Sequence, residues 1–187
     1  MKQHRRVSQT GFSLLEVMIA AVVLSFGLLG LVAMQATAKF SSYEARQRTI
    51  ASWLANDLVE RARINKDSWS AQGTTVVSGN AILRMPNCAN IDGTMSGCSR
   101  SDRQVLDLYY WQRSLLGTAV SGSASSLQAP TGCVIRGGNN SLTVGIFWRG
   151  RQSLSDGSGA VTAVRNSCGL NNAADRQRRQ FVLTTTL

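Results

Sequence analysis

The chain has 187 residues with a formal charge of +10, from 20 Lys and Arg against 10 Asp and Glu, and it contains one histidine and four cysteines. Acid–base or metal chemistry has little to draw on. The acids are sparse and dispersed, no C-x-x-C is present, and the only histidine is His4, in the basic start, so the rest of the chain offers no zinc ligand set. The first element expected is a membrane helix. Lys2, Arg5 and Arg6 precede an uncharged apolar run from Val17 to Ala38. Those 22 residues extend roughly 33 Å as a helix, enough for a bilayer core of about 30 Å. The basic start holds the N-terminus in the cytoplasm and leaves the chain beyond Lys39 on the far side of the membrane. Two features do not fit a plain anchor or an ordinary secretory signal. No A-x-A-like site comes after Ala38, whereas Gly11 stands before the run, and Glu16 puts a carboxylate at its start, where charge is costly.

Those residues, a basic leader and then Gly11-Phe12-Ser13-Leu14-Leu15-Glu16, resemble the class III signal of type IV prepilins and pseudopilins. The resemblance implies that a prepilin peptidase cuts between Gly11 and Phe12 and methylates the new amine of Phe12, and that the apolar helix stays on the mature protein. It also gives Glu16 a role in assembly, neutralising the N-terminal amine of a neighbouring subunit. An unpaired charge in a low-dielectric medium is penalised, and its pairing is correspondingly valuable. The chain then divides into residues 1–11 as leader, 12–39 as the membrane and filament helix, and 40–187 as a periplasmic head that includes the second half of the helix.

Gly27 and Gly30 interrupt the apolar helix, each at a cost of ~1 kcal/mol relative to alanine. They suit close helix packing or a point that unwinds on assembly. Major pilins usually carry a proline in this stretch, and Phe12 to Lys39 contains none. No Gly or Pro occurs from Phe40 to Ile64, so the helix is expected to run on to about Asn65. Tyr43, Ile50, Leu54 and Leu58 recur on one face; Trp53 and Ile64 widen that stripe and are expected in the core, with a filament contact as the alternative. Glu44 with Arg48, and Asp57 with Arg61, are favourable i,i+4 pairs.

From Lys66 to Arg100 the chain is rich in Ser, Gly, Asn and Thr, with strand-like pieces at Thr74 to Val77 and Ala81 to Arg84. Ser101 and Gln104 suggest a capping box for a helix from Asp102 to Leu116, with Val105, Leu108, Tyr109, Gln112 and Leu116 along one face. Tyr109, Tyr110 and Trp111 are expected to pack in the core, with a binding surface as the alternative. Further on, Gly137-Gly138-Asn139-Asn140 is a turn signal between Cys133-Val134-Ile135 and an alternating strand from Leu142 to Arg149; Phe181 to Thr186 makes a third strand. Gly150 to Arg179 reads as a long polar loop with no apolar period. Its run from Asp156 to Gly159 faintly suggests a calcium loop, but nearby acids are too few, and it reads as a solvated turn.

Cys88, Cys98, Cys133 and Cys168 allow three pairings. The favoured one is Cys88 with Cys98, around a short polar loop, and Cys133 with Cys168, stapling a long one; export supplies the oxidising compartment. The fold class expected is therefore α+β and type IV pilin-like: a long N-terminal helix, its first half transmembrane, on a small antiparallel sheet with disulfides. The apolar run together with Asp107-Leu108-Tyr109-Tyr110-Trp111-Gln112, Gly132-Cys133-Val134-Ile135 and Ile146-Phe147-Trp148-Arg149-Gly150 looks like the PilV-like minor pilins. That resemblance implies a structural role without catalysis, cofactor or metal. The implied partners are other minor pilins, the major pilin and the inner-membrane assembly platform, with a place at or near the pilus tip. A pseudopilin of type II secretion is the alternative, and a surface adhesin or DNA-binding module the third. Without the leader's three basic residues the side chains still sum to +7, which attracts acidic polymers without specificity.

Overall fold

The computed structural model describes residues 11, 13–90, 92–119, 127–151, 159–170 and 177–187. The chain divides into two compact units, Met1–Tyr43 and Glu44–Leu187. Helix α1 runs from Leu14 to Ile64 without interruption, with its acidic residue, Glu16, in the first turn and Arg61 and Arg63 in the last, the arrangement the helix dipole favours. In the second unit α1 is followed by a 3-10 turn, Lys66–Trp69, then strand β1 (Gly73–Ser78), helix α2 (Arg100–Leu116), strands β2 (Thr131–Arg136) and β3 (Ser141–Arg149), helix α3 (Gly159–Ser167) and strand β4 (Arg178–Thr186).

The four strands form one antiparallel sheet in chain order. The β2–β3 register pairs Thr131 with Phe147 and Arg136 with Leu142, and the hairpin closes through Asn139 and Asn140, at φ of 54° and 57°. Two successive residues at positive φ make the turn whose twist matches that of the strands, and asparagine tolerates that conformation at low cost. One face of the sheet carries Val77, Val134, Leu142, Val144, Ile146 and Trp148, buried against the alanine-rich side of α1 and against Leu108, Trp111 and Leu115 of α2. On the other face, Cys133, Ile135 and Phe147 pack with Val164, Cys168 and Leu170 of the segment containing α3.

Four expectations change. Trp53 and Ile64 are exposed, because the core side of α1 is made by Gln47, Ala51, Ala55, Leu58, Val59 and Ala62. Three alanines on that side let the helix approach the sheet closely, and the two large residues fall around the helix from it. Helix α2 begins two residues early: Ser99 is its N-cap, its hydroxyl accepting from the Asp102 N–H while the Asp102 carboxylate accepts from the Ser99 N–H, and Gly117 ends it at φ 74°. Its buried side is Leu106, Asp107, Leu108, Trp111, Gln112 and Leu115, with Val105 exposed. Ala81 to Arg84 is no strand beyond a single bridge from Ser78 to Ala81. The stretch from Gly150 to Arg179 contains α3, whose Val164 joins the Cys133–Phe147 cluster; contact with the sheet stands in for an apolar period of its own.

Candidate functional site

The N-terminal motif lies at the start of α1. Gly11 is exposed, Phe12 and the leader lie outside the described residues, and Ser13 supplies the carbonyl that accepts from the N–H groups of Glu16, at 3.0 Å, and Val17, at 3.3 Å. Glu16 is exposed, and so are the large apolar side chains along the same stretch, from Leu14 at 83% to Leu31 at 54%. A helix of this length and apolarity can cross a membrane, and none of its most apolar window is buried within the chain. Its hydroxyls are satisfied locally, Ser25 donating to the Ala21 carbonyl at 2.7 Å and Thr37 to that of Ala33 at 3.1 Å, as side chains in an apolar medium require. Among the described residues a Cβ built on Gly27 or Gly30 meets nothing within 4 Å, so no contact among them explains either glycine.

In the second unit the run Asp107 to Gln112 is an anchoring device. Asp107 accepts from Asn65 Nδ2 at 2.9 Å and from Trp69 Nε1 at 3.0 Å, tying α2 to the end of α1 and the 3-10 turn. Burial pushes its carboxyl above the ordinary value, and the bonds from Trp69 and Asn65 and the charge of Arg61 oppose that rise. Trp111, wholly buried, donates to the Leu54 carbonyl of α1 at 2.7 Å. Gln112 holds the segment after β1 on both sides of its amide: its oxygen accepts from the Leu83 N–H at 2.7 Å, and its nitrogen donates to the carbonyls of Ser78 and Ala81, at 2.8 and 2.6 Å. Tyr109 and Tyr110 are half-buried, their rings edge to face at 5.4 Å, with Arg113 over Tyr109. Trp111 and Gln112 are the structural core of the motif.

Further polar links join α1 to the sheet, Arg63 donating to Thr185 of β4 at 3.2 Å among them. Gln47 accepts from Trp148 Nε1 at 3.1 Å, and Glu44 pairs with the buried Arg179 of β4, Nε to Oε2, at 3.2 Å. A Cβ on Gly150 would lie 3.0 Å from both members of that pair, so the backbone must come this close to let them meet. Cys88 is bonded to Cys98 and Cys133 to Cys168, closing separations of 10 and 35 residues. The second bond fixes the end of α3 to β2. Among the described residues no group of three or more His, Cys, Asp or Glu could hold a metal ion; Asp156, with most of the faint calcium-like run, lies outside them.

The model of the prokaryotic N-terminal methylation motif matches residues 6–32, and the Tt1218-like model, described as type IV pilin Tt1218, matches residues 33–109. Comparison with curated proteins and with solved structures gave no match. The two family matches meet between Val32 and Ala33, inside α1. Methylation motif, exposed apolar helix, antiparallel sheet and paired cysteines agree with them, and over residues 6–109 the chain is similar to type IV pilins.

Proposed function

We propose that the chain is a minor pilin, similar to the PilV-like family, that joins other minor pilins and the major pilin and primes assembly of a type IV pilus at or near its tip. A prepilin peptidase on the cytoplasmic side cuts between Gly11 and Phe12 and methylates Phe12. The uncut and cut forms span the inner membrane once, with the head in the periplasm, until the assembly platform transfers the subunit to the filament. The observation that carries this reading is Glu16: an exposed carboxylate in the first turn of a helix whose neighbouring exposed groups are apolar. In a bilayer such a group needs a cation, and the freed amine of a neighbouring Phe12 is one of matching place and charge. Absence of proline between Phe12 and Lys39 favours a minor over a major subunit.

Mass spectrometry of filaments sheared from cells tests the processing step. The expected N-terminus is N-methylated Phe12; a filament-associated form retaining Met1 to Gly11 would overturn it. Glu16→Ala should insert and form both disulfides yet enter filaments poorly in cells that also make the unaltered chain. Equal entry would remove the charge-neutralisation argument. The pseudopilin reading is separated by deletion: cells without the chain should lose pili, whereas loss of secretion with intact pili would favour the alternative. Affinity for DNA is expected to be weak, independent of sequence and abolished by salt, since +7 of side-chain charge after removal of the leader carries no base-reading motif.

A further inference from the structure

The chain has four tryptophans, and the fold buries three of them: Trp69 is 1% exposed, and Trp111 and Trp148 are wholly buried. Trp53 is 76% exposed, on a side of α1 turned away from the alanine-rich core side. Its ring stands at a groove of about 350 Å³ lined by Ile50, Trp53, Leu54, Asp57, Arg61 and Ser114, a volume in the lower range of small-ligand sites. Steps of three and four residues put the first five along one face of α1. Ser114 comes from α2, which the bond from Trp111 to the Leu54 carbonyl holds against this turn of α1.

The polar groups of the groove have hydrogen-bonding capacity left over. Arg61 spends its Nε on Asp57 Oδ2, at 3.0 Å, and Ser114 its hydroxyl proton on the Tyr110 carbonyl, at 3.2 Å. Among the described residues nothing hydrogen-bonds to Asp57 Oδ1, to the two Nη groups of Arg61 or to the lone pairs of the Ser114 oxygen. Charge then selects among ligands. The two opposite charges cancel locally, so an anion entering the groove meets Asp57 and a cation meets Arg61. A purely apolar occupant, an acyl chain or a second helix, would cover the indole but take water from the ion pair and from Ser114 without replacing its bonds. A neutral ligand with one apolar face and a hydroxylated edge satisfies both parts of the groove.

We propose that the groove is a saccharide site, in which a pyranose ring of a neutral, β-linked glucose chain lies on the Trp53 indole and bonds through its hydroxyls to Asp57, Arg61 and Ser114. The C–H bonds on the flat side of an all-equatorial pyranose carry slight positive charge and meet the negative face of the indole. Of two neighbouring equatorial hydroxyls, one donates to Asp57 Oδ1 and the other accepts from an Arg61 Nη, so the ion pair reads a vicinal diol without being broken. Ile50 and Leu54, both half-buried, supply the apolar wall beside the ring. The site lies wholly within Glu44–Leu187 and does not depend on the pilin reading.

The test uses the full chain, labelled with heavy nitrogen at its tryptophans, in a zwitterionic detergent without sugar groups, titrated with cellotetraose and followed by nuclear magnetic resonance. Each indole N–H gives its own signal, and Trp53→Phe identifies that of Trp53. The expected result is a saturable shift of the Trp53 signal, with the three buried indoles unmoved. By calorimetry Trp53→Ala should weaken binding at least about ten-fold and Asp57→Asn at least about five-fold, with thermal unfolding unchanged, since neither side chain is part of the core. No movement of the Trp53 signal would overturn the site. Equal affinity in Asp57→Asn would overturn the reading of a diol. A Trp53 shift that follows the concentration of the chain itself, without sugar, and no further shift with sugar would overturn the choice of ligand in favour of a protein contact. Sugar binding and entry into filaments are separate measurements, so failure of either leaves the other reading standing.

Discussion

Leu14 to Met34 and Gln47 to Ala62 are stretches of the same helix, yet the first buries none of its large side chains within the chain and the second buries a full side. Their sequences state the difference. Apart from Glu16 the first is apolar all round, as a helix in lipid or among other helices must be, whereas the second puts Ala51, Ala55, Leu58 and Ala62 on one side and Asn56, Glu60 and Arg63 on others. Helical propensity thus does not distinguish the two. What distinguishes them is which partner receives the apolar side, and only one of those partners is encoded in this chain.

That contrast can be broken by covalent, packing and electrostatic changes, all read as thermal unfolding of the detergent-solubilised full chain. Removing the long staple by Cys133→Ser with Cys168→Ser should destabilise the second unit by about 4 kcal/mol, against about 3 kcal/mol for the shorter Cys88–Cys98 loop. Equal losses would mean that α3 is held by burial of Val164 and not by the bond. Leu58→Ala empties a wholly buried position and should cost about 2 to 5 kcal/mol, while Leu24→Ala should leave unfolding unchanged and register only in membrane insertion or filament entry. A shared loss would show that the first stretch has a partner within the chain after all.

Gly132→Ala sharpens the packing of the second stretch indirectly. A Cβ there would overlap the Trp111 ring, and that ring is fixed by its bond to the Leu54 carbonyl of α1, so a loss of about 1 to 3 kcal/mol is expected. An unchanged midpoint would mean that Trp111 moves without disturbing α1. The smallest effect concerns Asp107. Its folded pKa is raised, so its ionised form weakens the native state at neutral pH, and that penalty is lifted as pH falls through the folded pKa toward the ordinary value of 3.8. Comparison with Asp107→Asn should therefore show the unaltered chain gaining on the variant between neutrality and mild acid. The opposite slope would mean that the bonds from Asn65 and Trp69 outweigh burial.

Much of this molecule is legible in the sequence because local chemistry dictates it. Gly11 and Glu16 stand out against an uncharged run, and Gly137 to Asn140 can hardly be anything but the turn between β2 and β3. The second stretch of α1 misleads for a physical reason. Apolar periodicity gives weight to Trp53 and Ile64, whereas the core side is built from alanines, which contribute little hydropathy but permit close approach. The start of α2 lies two residues before its expected place because aspartate at the third position of the helix closes the capping box as glutamate or glutamine would, so Ser99 has an equal claim with Ser101. No local signal reveals α3, whose Val164 finds its apolar neighbours only across β2 and β3. Asp107 and Gln112 are visible as residues but not as anchors, since their partners lie 38 and 29 positions away.

The Cys88–Cys98 bond closes directly before the N-cap Ser99 and holds its two Cα atoms 5.2 Å apart. Residues 89–97 are thereby insulated: their ends are welded together, and a segment spliced between them reaches neither the start of α2 nor the segment gripped by Gln112. An epitope or a fluorophore-accepting peptide inserted near Asp92 and Gly93 would be carried on the surface of the second unit as cargo, giving a way to see where in a living cell this chain sits.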